Sequence, residues 1–225
     1  MNKYAIIVAG GSGTRMGTDL PKQFLVLGKQ PVLWHTITAF LEAFENIQII
    51  LVLPEEHMER GNDIIQSVSS PDRIIMVKGG GSRFHSVQSG LEQVPAGCLV
   101  AVHDGVRCLV TVSLIQKCYE EANIHGNAIP ATTAVDTIRI ATGENNEMIE
   151  RSKVRIIQTP QVFKSSLLKE AYRKDFSHHF TDDASVVESI GEKIHLVEGD
   201  PSNIKITRKI DLLIATQILS ERHSC

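Results

Sequence analysis

The sequence predicts an α/β fold whose largely parallel sheet presents a phosphate-binding edge. Three observations lead there. Residues 4–8, 47–53, 73–77 and 98–103 are short Ile/Val-rich runs, the pattern of strands covered on both faces, and segments of helical period separate them. Two of these runs pass directly into glycine-rich loops. Beyond Thr132 the strand–helix alternation gives way to hairpin-like segments, which predicts a protruding β-arm at about 134–158 on an otherwise single domain spanning 1–225.

The first strand, 4–8, runs into Ala9-Gly10-Gly11-Ser12-Gly13-Thr14-Arg15. Glycines let the backbone turn tightly and approach a ligand, and successive N–H groups in such a loop form an anion-binding nest. Arg15 and Lys22 add two cations within reach, so the stretch points to a triphosphate site. It is not a Walker A loop, because no Gly-Lys is followed by Ser or Thr. The dinucleotide fingerprint fits only at Gly11 and Gly13. Met16 takes the third glycine's place and no acidic residue lies between Gln30 and Leu41 to hold a ribose, which sets an NAD-dependent dehydrogenase aside. GGxGxRM followed by PKQF is more specific and resembles the signature of nucleotidyltransferases.

From Pro31, apolar residues Val32, Leu33, Ile37, Phe40, Leu41 and Phe44 recur at helical spacing; His35 in this helix reads as a packed or surface histidine. Strand 47–53 ends at Pro54, residues 55–68 read as a polar helix, and strand 73–77 leads into a second glycine loop, Lys78-Gly79-Gly80-Gly81-Ser82-Arg83. Arg83 and Ser86 lie one turn apart on the helix that this loop opens. Strand 98–103 ends in Asp104-Gly105-Val106-Arg107. A carboxylate at the carboxyl end of a central parallel strand sits on the ligand edge of the sheet, where it can hold Mg²⁺ or another divalent cation against phosphates. Residues 111–125 read as a helix, 127–131 as a strand, 135–140 as an arm strand before a polar turn at 143–146, and 156–163 as the return to the body. Helices follow at 165–174 and 182–190, the latter with Thr181 as N-cap. Strands at 194–197 and 203–207 and an amphipathic helix at 208–222 close the chain.

Composition narrows the classes. A 225-residue chain with 42% hydrophobic residues supports a sizeable core, and a net charge of −3 carries no basic footprint for nucleic acid. No apolar run approaches the ~20 residues of a membrane span, and the N-terminus enters a strand without a signal-peptide pattern, so the expected location is cytoplasmic. Cys98, Cys108, Cys118 and Cys225 contain no C-x-x-C pair, which argues against a zinc site or disulfide framework.

Taken in order, AGGSGTRM with PKQF, GGGSRFHSV, HDGVR, the DT of AVDTIR, Arg151 ahead of QTPQ, TDDAS and NIKIT resemble the 2-C-methyl-D-erythritol 4-phosphate cytidylyltransferase family of the non-mevalonate isoprenoid pathway, from Ala5 to about Leu219. The resemblance implies a Rossmann-like, three-layer nucleotide-diphospho-sugar transferase fold with a twisted mixed sheet and a dimerising arm. It implies that Arg15 and Lys22 stabilise the transition state and that Asp104 binds the metal. Ala9, Gly10, Gly11, Ser12, Gly13, Thr14, Gly80, Arg83 and Ser86, with Asp104, would hold CTP. Arg107, Thr137, Arg151 and Lys205 would bind the polyol phosphate, Thr137 and Arg151 reaching in from the neighbouring subunit of a homodimer and Lys205 acting also in catalysis. A cytidylyltransferase for ribitol 5-phosphate shares the first loop and HDxVR; the DT pair and Arg151 favour methylerythritol phosphate. A catalytically silent nucleotide-binding protein is disfavoured by the joint presence of Arg15, Lys22, Asp104 and Lys205. Two positions depart from the family pattern. Cys108 replaces the proline of HDxVRP, and Gly81 stands where a polar or acidic residue is common.

Overall fold

Side-chain alternation along the first strands decides the layering. In the computed structural model, which describes residues 1–11 and 20–224, β1 (Lys3–Val8) directs Ala5 and Ile7 to one core cluster and Ile6 to another. β4 (Gln48–Leu53) does the same with Ile49, Leu51 and Leu53 against Ile50 and Val52, as the two-residue repeat of a strand requires. One face is covered by α1 (Val32–Ala43), α2 (Met58–Ser67) and α4 (Val112–His125). The other is covered by α3 (Arg83–Leu91), α5 (Ser165–Ala171) and α6 (Asp183–Glu188). The three-layer arrangement matches the expectation.

The remaining strands of the main sheet are β5 (Ile74–Lys78), β6 (Leu99–Asp104), β7 (Asn127–Thr133), β10 (Arg155–Ile157), β11 (Gln161–Lys164) and β12 (Leu196–Glu198). β5, β4, β1 and β6 are parallel neighbours in that order; β11 then pairs antiparallel with β6 and β7, making the sheet mixed. β10 follows β11 along β7, and β12 pairs with β7 in parallel. Val8 is level with both Val52 and Asp104, so the loops after β1, β5 and β6 leave from one edge of the sheet.

Several expectations are corrected in detail. The apolar segment before α1 forms a small hairpin, β2 (Val26–Leu27) with β3 (Gln30–Pro31), turning at Gly28 in the left-handed region. Residues 55–68 divide into a 3₁₀ turn, Glu55–His57, and α2. The N-cap of α6 is Asp182, not Thr181: its carboxylate accepts from Ser185 N while the Ser185 hydroxyl accepts from Asp182 N, a reciprocal capping box. Residues 203–207 do not form a strand. One backbone bond, Ile206 N to Val106 O at 3.0 Å, and the buried Asn203 side chain, which donates to Thr159 O at 2.8 Å, hold this segment instead. The closing helix α7 (Lys209–Ser224) packs Leu212, Ala215, Ile218 and Leu219 against Leu27, Val106 and Cys108, yet it also exposes Ile210, Leu213 and Ile214.

The arm consists of β8 (Arg139–Thr142) and β9 (Asn145–Met148), an isolated hairpin turning at Gly143 with every strand residue exposed. Its first strand begins later than expected, because residues 134–138 are irregular. No helix among the described residues is long and apolar enough to cross a membrane.

Candidate active site

The edge where β1, β5 and β6 end is a cleft of about 550 Å³. Ala9, Gly10, Gly11, Lys22, Gly80, Arg83, Ser86, Asp104 and Lys205 all line it, so the structure gathers these predicted positions at one place. Ser12, Gly13, Thr14 and Arg15 lie outside the described residues. The strand ladders continue into the loops: Ala9 N donates to Val52 O at 3.0 Å, Gly79 N to Leu53 O at 2.8 Å, and Gly105 N to Val8 O at 2.9 Å. Gln23, part of the PKQF motif but given no role by the sequence, is buried and donates through Nε2 to Ala9 O at 2.7 Å, bracing the first loop from behind.

The second loop is closed by Ser86. Its hydroxyl donates to Ser82 O at 2.9 Å and accepts from Gly80 N at 3.2 Å, while Ser82 caps α3 by accepting from His85 N at 3.3 Å. Gly80 is required by packing, since a Cβ there would lie 2.4 Å from His85 Cβ. A Cβ at Gly81 meets nothing within 4 Å, so the departure at that position leaves open space rather than a defect.

Asp104 is the electrostatic centre. Arg83 Nε donates to its Oδ1 at 3.3 Å, Lys205 Nζ lies 2.7 Å from Oδ2, and Arg107 Nε lies 3.8 Å from Oδ2. Burial works to raise the pKa of this carboxyl, but Arg83, Lys205 and Arg107 together outweigh it and hold the group well below the usual carboxylate range. Asp104 is therefore an anion in an excess of positive charge, which a phosphate chain entering the cleft can neutralise.

A second carboxylate, Asp183, holds Arg83. The guanidinium donates to both of its oxygens, Nη1 to Oδ1 at 3.1 Å and Nη2 to Oδ2 at 2.6 Å, and Tyr172 Oη donates to Oδ1 at 2.7 Å. Burial disfavours the Arg83 cation, but Asp183 and Asp104 more than compensate and raise its pKa. Asp183 is visible in the sequence within TDDAS, but nothing there pairs it with a residue one hundred positions earlier.

Behind Asp104, His103 fixes the turn. Asp104 N donates to Thr159 Oγ1 at 3.1 Å, and Thr159 Oγ1 lies 3.0 Å from His103 Nδ1. Arg107 O, 3.2 Å from His103 Nε2, can only accept, so Nε2 carries the ring hydrogen and the neutral ring's Nδ1 accepts from the Thr159 hydroxyl. The imidazole is neutral in this chain of bonds, and burial lowers its pKa to about 3 against the opposing pull of Asp104. Cys108 packs under the same turn with Leu27, Val32 and Ile206, and burial pushes its thiol up to about 12. It fills the place of the expected proline as an inert apolar side chain.

Arg107 donates through Nη1 to Asn203 O at 2.9 Å and, with Arg83, Asp104 and Lys205, borders a second cavity of about 210 Å³ beside the cleft. Thr137 and Arg151 line neither cavity. Both are exposed on the arm, where Arg151 Nη1 donates to Val135 O at 2.7 Å.

The geometry has close counterparts. The family model for 2-C-methyl-D-erythritol 4-phosphate cytidylyltransferase matches residues 4–221. A protein of that name from Bacteroides thetaiotaomicron is 48% identical over 219 residues, covering 97% of this chain and 100% of its own. One from Geobacillus kaustophilus is 38% identical over 225 residues, covering 99% of each. The crystal structure of a 4-diphosphocytidyl-2C-methyl-D-erythritol synthase from Anaerococcus prevotii superposes with a TM-score of 0.83 at 30% identity, covering 97% of this chain and 98% of that one. The chain belongs to the 2-C-methyl-D-erythritol 4-phosphate cytidylyltransferase family.

Proposed function

We propose that this protein transfers CMP from CTP to 2-C-methyl-D-erythritol 4-phosphate, giving 4-diphosphocytidyl-2-C-methyl-D-erythritol and pyrophosphate in cytoplasmic isoprenoid precursor synthesis. The observation that carries the reading is the placing of Asp104, Arg83 and Lys205 on the boundary shared by the 550 Å³ cleft and the 210 Å³ cavity. A nucleotide lies in the first, its triphosphate over the glycine loops, and the acceptor phosphate approaches from the second past Arg107.

A phosphate oxygen of the acceptor, already anionic at neutral pH, attacks the α-phosphorus of CTP in line. The new P–O bond forms as the bond to the bridging oxygen breaks, and pyrophosphate carries away the electron pair. No general base is needed. Catalysis is positioning and charge neutralisation, with Arg15, Lys22 and Lys205 compensating the oxygens around the α-phosphorus. Asp104 suits a divalent ion such as Mg²⁺ as one ligand among phosphate oxygens, because it is ionised and borders the cleft. Arg83, Lys205 and Arg107 around Asp104 would oppose a bare ion, so the site would favour one already neutralised by phosphate. When bound, Mg²⁺ neutralises phosphate charge and orients the triphosphate.

The chain acts as one nucleotidyltransferase domain with the arm at 134–158 as its dimer contact. Val135 is 82% and Met148 68% exposed, and a two-stranded hairpin is marginal in water unless it packs on a partner. A closed two-fold dimer places Thr137 and Arg151 of each arm on the acceptor in the other subunit. The test is pyrophosphate release over four nucleoside triphosphates and several polyol phosphates. CTP with methylerythritol phosphate should exceed every other pair, and a higher rate with ribitol 5-phosphate would overturn the assignment.

A further inference from the structure

At the opposite edge of the sheet from Asp104, three side chains converge. Lys164 of β11 pairs with Leu99 at the start of β6, and Phe163 pairs with Asn127 at the start of β7, so the beginning of β7 lies at the far end from the cleft. There Glu121 and His125, one turn apart at the end of α4, meet His195, which precedes β12. His195 Nε2 lies 3.1 Å and His125 Nε2 3.4 Å from the same oxygen, Glu121 Oε2, and all three ligand atoms lie within 4.8 Å of one another. We infer that Glu121, His125 and His195 form a binding site for a divalent transition metal, Zn²⁺ by its ligand chemistry, separate from the catalytic cleft.

Two of the three edges have the length of those in a coordination shell. Ligands about 2.0–2.1 Å from a tetrahedral ion are separated by about 3.3 Å, which both observed nitrogen–oxygen edges approach. Two imidazoles and a carboxylate suit zinc better than magnesium, which prefers an all-oxygen shell. The backbone that carries the three is fixed. α4 stops at Gly126, which adopts the left-handed conformation, immediately after His125. His195 N donates to the buried Asn127 Oδ1 at 2.8 Å, and Ile129 N donates to His195 O at 2.9 Å. The carboxyl end of α4 also directs its partial negative charge at the site, favouring a cation.

The two rings are stacked, with centroids 3.8 Å apart and planes at 17°. A shared ion requires each ring to tilt toward it, and both side chains are exposed enough to do so, at 44% for His125 and 34% for His195. The exposure leaves the fourth position to water. Bound zinc would tie the end of α4 to the strand from which the chain runs on to Asn203 and Lys205. Cysteine spacing argued against zinc, but it is blind to this set, whose third ligand lies seventy positions from the second.

The experiment uses the full-length chain, stripped with chelator and dialysed against Zn²⁺ without nucleotide, with bound zinc counted by mass spectrometry. One zinc per chain is expected, and Co²⁺ in its place should give the strong visible bands of a tetrahedral ion. Loss of an outer-shell partner alone weakens metal sites about 10–100-fold, so His195→Ala and Glu121→Gln should each weaken zinc by at least about 10-fold. Circular dichroism of the metal-free variants checks folding; Glu121→Gln preserves shape and serves if His195→Ala does not fold. Zinc retained at parental affinity by both folded variants, or no stoichiometric zinc in the parent, overturns the site.

Discussion

Arg83 and Asp183 form a bidentate ion pair at 3.1 and 2.6 Å, and this contact aims a helix-borne guanidinium at Asp104 across the cleft. Asp183 is fully buried, so it has no water to replace its partner. Removing one member of a buried pair costs about 3–5 kcal/mol, because the other is left uncompensated. Arg83→Leu, which strands the buried Asp183, should lower unfolding free energy by that order in urea titrations. Asp183→Ala should cost less, because Arg83 is 30% exposed and keeps Asp104, and should also weaken CTP binding. A loss below about 0.5 kcal/mol, the size of an ordinary surface change, would show that the pair carries no such weight.

Lys22 and Lys205 both border the cleft. If they compensate charge that develops at the α-phosphate, alanine at either should lower kcat by about 10²-fold or more, the loss of roughly 3–4 kcal/mol seen for a missing oxyanion donor. KM should change less, because the charge is greatest in the transition state. Arg15→Ala should behave alike. Steady-state kinetics with saturating magnesium measures this, and near-parental kcat in all three removes them from the chemistry.

Asp104→Asn keeps shape and removes the charge that faces Arg83, Lys205 and Arg107. Half-maximal activity should then require more magnesium, and chelation should abolish turnover in the parent. Because the folded carboxyl is held below its ordinary range, its contribution to stability is present above the unfolded pKa and persists through mild acid, fading only as pH falls through the depressed folded value. A parent enzyme indifferent to chelator excludes the metal role.

His103 also loses stability on acidification, but in a higher pH window than Asp104. Its folded pKa is about 3, below the ordinary imidazole value of about 6.5, so between these values the unfolded chain takes up a proton that the folded chain refuses. Stability should fall with pH across that window, by at most about 1.4 kcal/mol per unit from this group. His103→Gln keeps a donor for Arg107 O and should flatten the slope in urea unfolding between pH 7 and pH 5. Equal slopes would place the proton uptake elsewhere.

The arm prediction needs two variants in one dimer. Lys205→Ala and Arg151→Ala subunits should each be nearly inactive alone. If Arg151 serves the neighbouring subunit, their heterodimer contains one intact site and recovers activity on co-expression. If it serves its own subunit, both sites are damaged and the mixture stays at the floor. A fully active monomer in sedimentation at assay concentration would rule out the trans role directly.

Local chemistry made much of this protein legible in sequence. Apolar runs ending in glycine loops identified the strands and the edge where they finish, because burial on both faces and close phosphate approach each restrict the residues allowed. The positions of Gly80, Arg83, Ser86 and Asp104, with Lys22 shortly after the first loop, followed from motifs beyond those strand ends, whereas Lys205 was marked only by the family resemblance. What only the tertiary structure decided are contacts between residues far apart in the chain. Asp183 grips Arg83, Thr159 bridges His103 and the Asp104 backbone, and His195 completes the group at Glu121 and His125. None leaves a periodic or spacing signal, since each depends on how the antiparallel return through β11 brings later segments beside β6 and β7. The failed strand at 203–207 has the same cause: its residues have β-forming character, but the neighbouring edge is met by side chains of Asn203 and Arg107 instead of a backbone ladder.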